Sequence, residues 1–159
     1  MPVSKRELLA QAIDKTGLRS VIQFVSRQPL LIIVNYHRLG DLSDNLFDDG
    51  VFSATASAFE AQIKFLRDNF RVLQLNEIIE LAANDFNVHE PSVLITFDDG
   101  YSDNYDIGLP ILTKYGVTAT FFIPTSYIDR PRLPWWDRIS YIIKSTRRNQ
   151  IVLDFEPTL

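Results

Sequence analysis

Hydrophobic positions along the chain alternate between compact runs and longer spacings. Leu30-Leu31-Ile32-Ile33-Val34 and Val93-Leu94-Ile95-Thr96-Phe97 are short, apolar, rich in β-branched residues and followed at once by polar clusters. That is the pattern of strands buried in a parallel sheet. Between them Phe59, Ile63 and Leu66 recur at helical spacing, and Ser57 with Glu60 stands in capping-box register ahead of them. Arg71 to Leu75 predicts a short strand. Asn76 then caps a helix whose Ile78, Ile79, Leu81 and Ala82 face inward before Asn84 ends it. Farther on, Leu109 to Tyr115 reads as a helix with Pro110 in its first turn and Gly116 as its stop, Thr118 to Ile123 as a strand, and Arg138 to Lys144 as a helix. Strand, helix and strand in this order form a parallel crossover pair, the unit from which (β/α) barrels are built.

The connections read as follows. Residues 39–56 are polar and turn-rich and predict a long loop over the strand ends, and Tyr101 to Asp106 predicts a turn. Trp135-Trp136 sits in a loop between prolines and is expected to anchor that loop to the core in preference to stacking on a sugar. At the amino end, Ser4 and Glu7 open an amphipathic pattern through Leu8, Ala12, Leu18, Val21 and Val25, so residues 1–29 predict a helical segment closed by Pro29. Ile151-Val152-Leu153 is strand-like.

Candidate chemistry begins where the central strand ends. Asp98 and Asp99 are adjacent carboxylates, and keeping both ionised calls for a cation or several hydrogen-bond donors nearby. One could ligate a divalent metal while its neighbour addresses a metal-bound water, with Gly100 allowing a sharp turn. The bland alternative is that Asp-Asp-Gly is only a turn. The chain carries its own control, because Phe47-Asp48-Asp49-Gly50 repeats the four letters with no strand leading into them, and that copy reads as a loop. An EF-hand loop starting at Asp98 or Asp99 lacks the acid spacing and the terminal Glu, and a phosphate-binding loop lacks its glycines. His37 follows the first strand, at the end where sites gather; His89 precedes the central strand, at the opposite end.

Composition narrows the field. The chain has 159 residues and 46% hydrophobic content, which suits one ordinary core. A net charge of -4 and a pI near 5.1 argue against an electrostatically driven nucleic-acid binder. No cysteine is present, so a zinc site would draw on Asp, Glu and His. The start of the chain lacks the apolar core of a signal peptide, and Leu30 to Val34 is too short to span a bilayer, which leaves a cytoplasmic location as the default expectation.

Thr96-Phe97-Asp98-Asp99-Gly100 resembles the first motif of the polysaccharide deacetylases, carbohydrate esterases that share the NodB homology domain. Leu30 to His37, Phe59 to Leu66, Tyr101 to Tyr105, Leu109 to Leu112, Ala119 to Ile123 and Pro134 to Arg138 are similar to family segments in their usual order. The resemblance implies an α/β fold, a partial irregular (β/α) barrel of the NodB type, with residues 30–159 as the amino-terminal part of the deacetylase domain. It implies Asp98 as general base, Asp99 as metal ligand, and His37 and Tyr101 as residues that line the substrate site. The implied reaction is metal-dependent removal of N-acetyl groups from the amino sugars of a glycan, with a divalent ion, zinc by preference, holding the attacking water and stabilising the oxyanion. The family's second motif, His-Ser/Thr-x-x-His, lies downstream of the first and supplies imidazole ligands. This chain holds only His37 and His89, both upstream, so the 159 residues are expected to be part of a longer protein and to be inactive alone. The alternative is a catalytically incomplete fragment or carbohydrate-binding module.

Overall fold

The computed structural model describes residues 29–41, 45–130 and 132–150. The helical segment expected over residues 1–29 lies almost wholly outside these residues, as does Ile151-Val152-Leu153. Element order is β1 (Leu31–Tyr36), β2 (Arg38–Leu39), β3 (Phe52–Ala54), α1 (Ala56–Asn69), β4 (Arg71–Leu73), α2 (Leu75–Ala83), β5 (Ser92–Phe97), α3 (Leu109–Tyr115), β6 (Thr120–Phe121), α4 (Thr125–Asp129) and α5 (Trp135–Ser145).

All six residues of β5 are buried, and the sheet is built around them. On one side β1 pairs with β5 in parallel along its full length, from Leu31 opposite Ser92 to Tyr36 opposite Phe97. The other side is shared: β4 runs beside Ser92 to Leu94, and β6 takes over beside Thr96 and Phe97. The fold is therefore α/β with parallel strands, as the two apolar runs predict.

Alternation along the strands gives the sheet two unlike faces. Val93, Ile95 and Phe97 join Ile32, Val34 and Tyr36 against Phe59, Ile63 and Leu66 of α1 and Leu112 of α3. The aromatic rings meet edge to face, with Tyr36 and Phe59 centroids 4.9 Å apart and Phe59 and Phe97 5.7 Å apart. Full burial of one such ring contributes about 2–3 kcal/mol, so this face holds the domain together. The intervening positions, Ile33, Asn35 and Thr96 among them, project from the opposite face, where Ile33 is 59% exposed.

Several local expectations change. Helix α1 is capped by Thr55, whose Oγ1 accepts from the Ala58 N–H at 3.2 Å; the extended backbone of Thr55 places its hydroxyl over the first turn, which starts ahead of Ser57. Helix α2 is capped by Gln74 in a reciprocal box with Glu77, two residues earlier than Asn76. Its Ile79 is 62% exposed and Ala82 is exposed too, so only Ile78 and Leu81 of the expected inward set are partly covered. The 39–56 loop contains structure of its own, a 3-10 turn at Asp49–Val51 and the β2–β3 pair. The stretch after Gly100 is helical from Ser102 and widens into a π segment at Asn104–Gly108 that runs directly into α3. Strand β6 is shorter than predicted, and the tryptophan pair opens α5 instead of sitting in a loop. Gly116 ends α3 as expected, in the left-handed conformation at φ 63°.

Among the described residues no helix is long and apolar enough to cross a membrane.

Candidate active site

The β1–β5 ladder runs one step past the strands, where the Asp98 N–H donates to the Tyr36 carbonyl at 2.9 Å. There the chain bends sharply: Asp99 has φ 70° and Gly100 φ 63°, consecutive left-handed residues. Glycine adopts this freely, but an aspartate does so at a conformational cost of about 1 kcal/mol or more. The bend turns the doublet toward a cleft of about 330 Å³ lined by Asp98, Asp99, Phe122, Ile123 and Pro124. A larger hollow of about 760 Å³ lies among β1, β3 and α1, but no acid or base lines it and the chemistry is not there.

The two acids have different surroundings. Asp98 Oδ2 accepts from Asn35 Nδ2 at 2.8 Å, and Asn35 Oδ1 accepts from Thr96 Oγ1 at 2.8 Å. Burial pushes the Asp99 carboxyl above the usual carboxylate range; the nearby His37 opposes that shift, while Asp98 and Asp137 add to it. Thus the tip of β5 gathers like charge in a partly desolvated place.

His37 leaves β1 half-buried, its N–H bonded to Ser53 Oγ at 2.9 Å and its carbonyl held by Asn104 Nδ2 at 2.6 Å. Asp103 clamps the same segment, accepting from Arg38 Nε and from the Leu39 N–H, both at 3.0 Å. The structure thereby brings His37 within electrostatic reach of Asp99. His89 is exposed and precedes β5, about 16 Å of strand away from the acids.

Tyr101 stands just past the bend. Its hydroxyl donates to Asp137 Oδ2 at 2.9 Å and accepts from Trp136 Nε1 at 2.8 Å, and the Arg38 guanidinium lies 4.8 Å from its ring centroid. Burial in the first place holds the phenol far above its ordinary range; the Trp136 bond pulls the other way and the Asp137 bond adds to the rise. Asp137 is only 1% exposed and also accepts from the Asp48 N–H at 3.0 Å, so one buried carboxylate joins α5, the bend and the 45–51 segment.

Pattern reading singled out Asp98, Asp99, His37 and Tyr101, and the structure gathers them at one end of the sheet. It missed Asn35, Asp103, Asn104 and Asp137. Asn35 had a signal, a polar residue ending an apolar strand. Asp137 had a weaker one, an acid directly after two tryptophans.

Among the described residues there is no cluster of three or more His, Cys, Asp or Glu side chains able to hold a metal ion. Asp99 is a candidate ligand, but the described residues do not fit a closed zinc site by themselves.

Residues 85–150 match the sequence model of the polysaccharide deacetylase family. Over 66 residues, 41% of this chain and 24% of the relative, the sequence is 47% identical to YxkH of Bacillus subtilis (strain 168), whose name places it among the polysaccharide deacetylases. It is 34% identical over 90 residues, 56% of this chain and 31% of the relative, to the poly-beta-1,6-N-acetyl-D-glucosamine N-deacetylase of Staphylococcus aureus (strain MSSA476). The solved structure of a de-N-acetylase from Aggregatibacter actinomycetemcomitans superposes with a TM-score of 0.51 at 26% identity, over 66% of this chain and 42% of that one. The chain thus spans less than half the length of each of these proteins.

Proposed function

We propose that this chain, which carries the polysaccharide deacetylase segment in residues 85–150, supplies the general base and a metal ligand of an enzyme that removes N-acetyl groups from the amino sugars of a glycan. The observation that carries this reading is the acid doublet at the carboxyl tip of a fully buried parallel strand, turned toward a cleft through a left-handed Asp99. Parallel α/β sheets place their chemistry at that end.

In this reading Asp98 takes a proton from water as the water oxygen attacks the acetamide carbonyl carbon. The carbon–nitrogen bond then breaks, the amine leaves with a proton from an acid outside the described residues, and acetate and a free amino sugar result. Asp99, desolvated and flanked by Asp98 and Asp137, is the carboxylate assigned to a divalent ion, with zinc as the first candidate. A closed site for that ion would need imidazole donors that the described residues do not supply. His37 and Tyr101, which stand at the same end of the sheet outside the cleft lining, are assigned to the substrate site, Tyr101 through its ring, since its hydroxyl is already bonded on both sides. The Staphylococcus relative's name makes a β-1,6-linked N-acetylglucosamine polymer the first substrate to try.

The test is acetate release from acetylated glucosamine oligomers by the natural protein as its host makes it, with bound metal measured alongside. Asp98→Asn is expected to abolish turnover and spare the metal; Asp99→Asn is expected to weaken metal uptake. Turnover in either variant equal to the parent's would sink the assignment of roles. Glycan binding without acetate release, metal present, would favour the carbohydrate-binding module instead. Residues 1–159 alone are expected to bind zinc weakly by calorimetry and to release no acetate.

A further inference from the structure

We infer that Asn35 is a positioning residue for Asp98, a role that rests on the proposed reading of Asp98 as general base. Asn35 is the register partner of Thr96 across the β1–β5 ladder. Partners in a ladder project from the same face, and two positions farther along β5 that face carries Asp98. Asparagine is otherwise out of place at the end of Leu31-Ile32-Ile33-Val34.

The three side chains form a directed chain of hydrogen bonds. Thr96, only 4% exposed, is the anchor; its hydroxyl lies 2.8 Å from Asn35 Oδ1 and 3.1 Å from the Val34 carbonyl. An ionised carboxylate accepts and cannot donate, so the amide end facing Asp98 has to be the NH₂ group, and its oxygen then meets the Thr96 hydroxyl. Asn35 Nδ2 holds Asp98 Oδ2 at 2.8 Å. Among the described residues Asp98 Oδ1 accepts from nothing, which leaves one oxygen tied and the other free to meet a water.

A carboxylate on a bare strand end samples several rotamers, and a general base must hold its lone pair within hydrogen-bond reach of the proton it removes. Misplacement by about 1 Å costs about 10²-fold in rate. Tying one oxygen restricts both side-chain torsions. No hydrogen bond to the Asp99 carboxylate occurs among the described residues, which suits a group whose orientation a bound cation would set.

The experiment compares Asn35→Ala, Thr96→Val and Thr96→Ser in the natural protein as its host makes it. Asn35→Ala is expected to lower kcat about 10- to 100-fold with KM and metal content within about twofold of the parent. Thr96→Val should lower kcat by a smaller factor, and Thr96→Ser, which keeps the hydroxyl, should restore it. Crystal structures of the parent and Asn35→Ala should show Asp98 leaving its place when the amide is removed. An unchanged kcat in Asn35→Ala, a loss carried equally by KM, or an unmoved Asp98 would each overturn the inference. If the parent releases no acetate from any glycan, the functional reading fails, and the position of Asp98 in the two crystal structures still decides whether Asn35 positions it.

Discussion

Phe47-Asp48-Asp49-Gly50 and Phe97-Asp98-Asp99-Gly100 are the same four letters in two different physical settings. In the second copy Phe97 is a buried strand residue, 1% exposed and stacked on Phe121 at 4.9 Å, and the acids emerge at the tip of the sheet. In the first copy Asp48 is the N-cap of a 3-10 turn and bonds the Gly50 N–H at 2.9 Å, while Asp49 accepts from Lys144 at 2.8 Å and from Asn45 at 2.9 Å. Those acids are consumed locally and by helix α5, whose Asp137, Tyr141 and Lys144 recur at helical spacing and each touch the 45–49 segment. The difference teaches that a pair of carboxylates becomes a candidate site when a buried strand presents it and the surrounding donors leave it unsatisfied.

The largest contrast should lie in activity. On the proposed reading, Asp98→Asn in the natural protein is expected to abolish acetate release, a loss of at least about 10²- to 10⁴-fold, the range for loss of a general base, whereas Asp48→Asn, which keeps a competent cap, should stay within about twofold of the parent. Next come the phenylalanines. Phe97→Ala should destabilise by about 3–5 kcal/mol and Phe47→Ala, half-buried against Tyr141, by about 1 kcal/mol, measured by urea midpoints at unchanged slope. A smaller gap separates the glycines. Gly100 sits at φ 63° and an added Cβ would lie 3.2 Å from Ile123, so Gly100→Ala should cost about 1–2 kcal/mol. At Gly50 the added Cβ meets only the Asp48 carboxylate at 3.2 Å, with no left-handed backbone, and Gly50→Ala should stay within about 0.5 kcal/mol.

The weakest contrast is in pH dependence, and its sign is opposite for the two copies. Hydrogen bonds from Lys144 and Asn45 hold the Asp49 carboxyl below the usual range, so its contribution is present above the unfolded carboxylate value and fades as pH falls through the depressed one. Burial holds Asp99 above the usual range, so in metal-free protein its contribution is full below the unfolded value and fades as pH rises through the raised one. Carboxyl NMR titrations should show Asp49 below and Asp99 above the unfolded value. Lys144→Met should move Asp49 back toward ordinary and leave Asp99 in place; a titration of Asp49 unmoved by that change would remove the lysine as the cause.

Much of the fold was legible because its signals are local. The apolar runs of β1 and β5, the Phe59, Ile63 and Leu66 stripe and the Gly116 stop each depend on residues within a turn or two of one another. The caps fall at Thr55 and Gln74, each two residues ahead of the expected Ser57 and Asn76, since several polar residues near each helix start compete for the role and backbone entry decides among them. The Trp135-Trp136 pair joined a helix because Pro134 ahead of it is compatible with a helix start as well as with a loop.

By itself, then, the sequence determined that a buried strand ends in Asp98 and Asp99, that its neighbours are parallel, and that His37 leaves the first strand at the same end. Those are consequences of period and punctuation within short windows. Only the tertiary structure decided that Asn35 reaches Asp98 across 63 residues, that Asp48 meets Asp137 across 89, and that Asp99 is desolvated beside His37. Hydrogen bonds and burial act over a few ångströms in space, and no local pattern records which distant segments the packed core will bring that close.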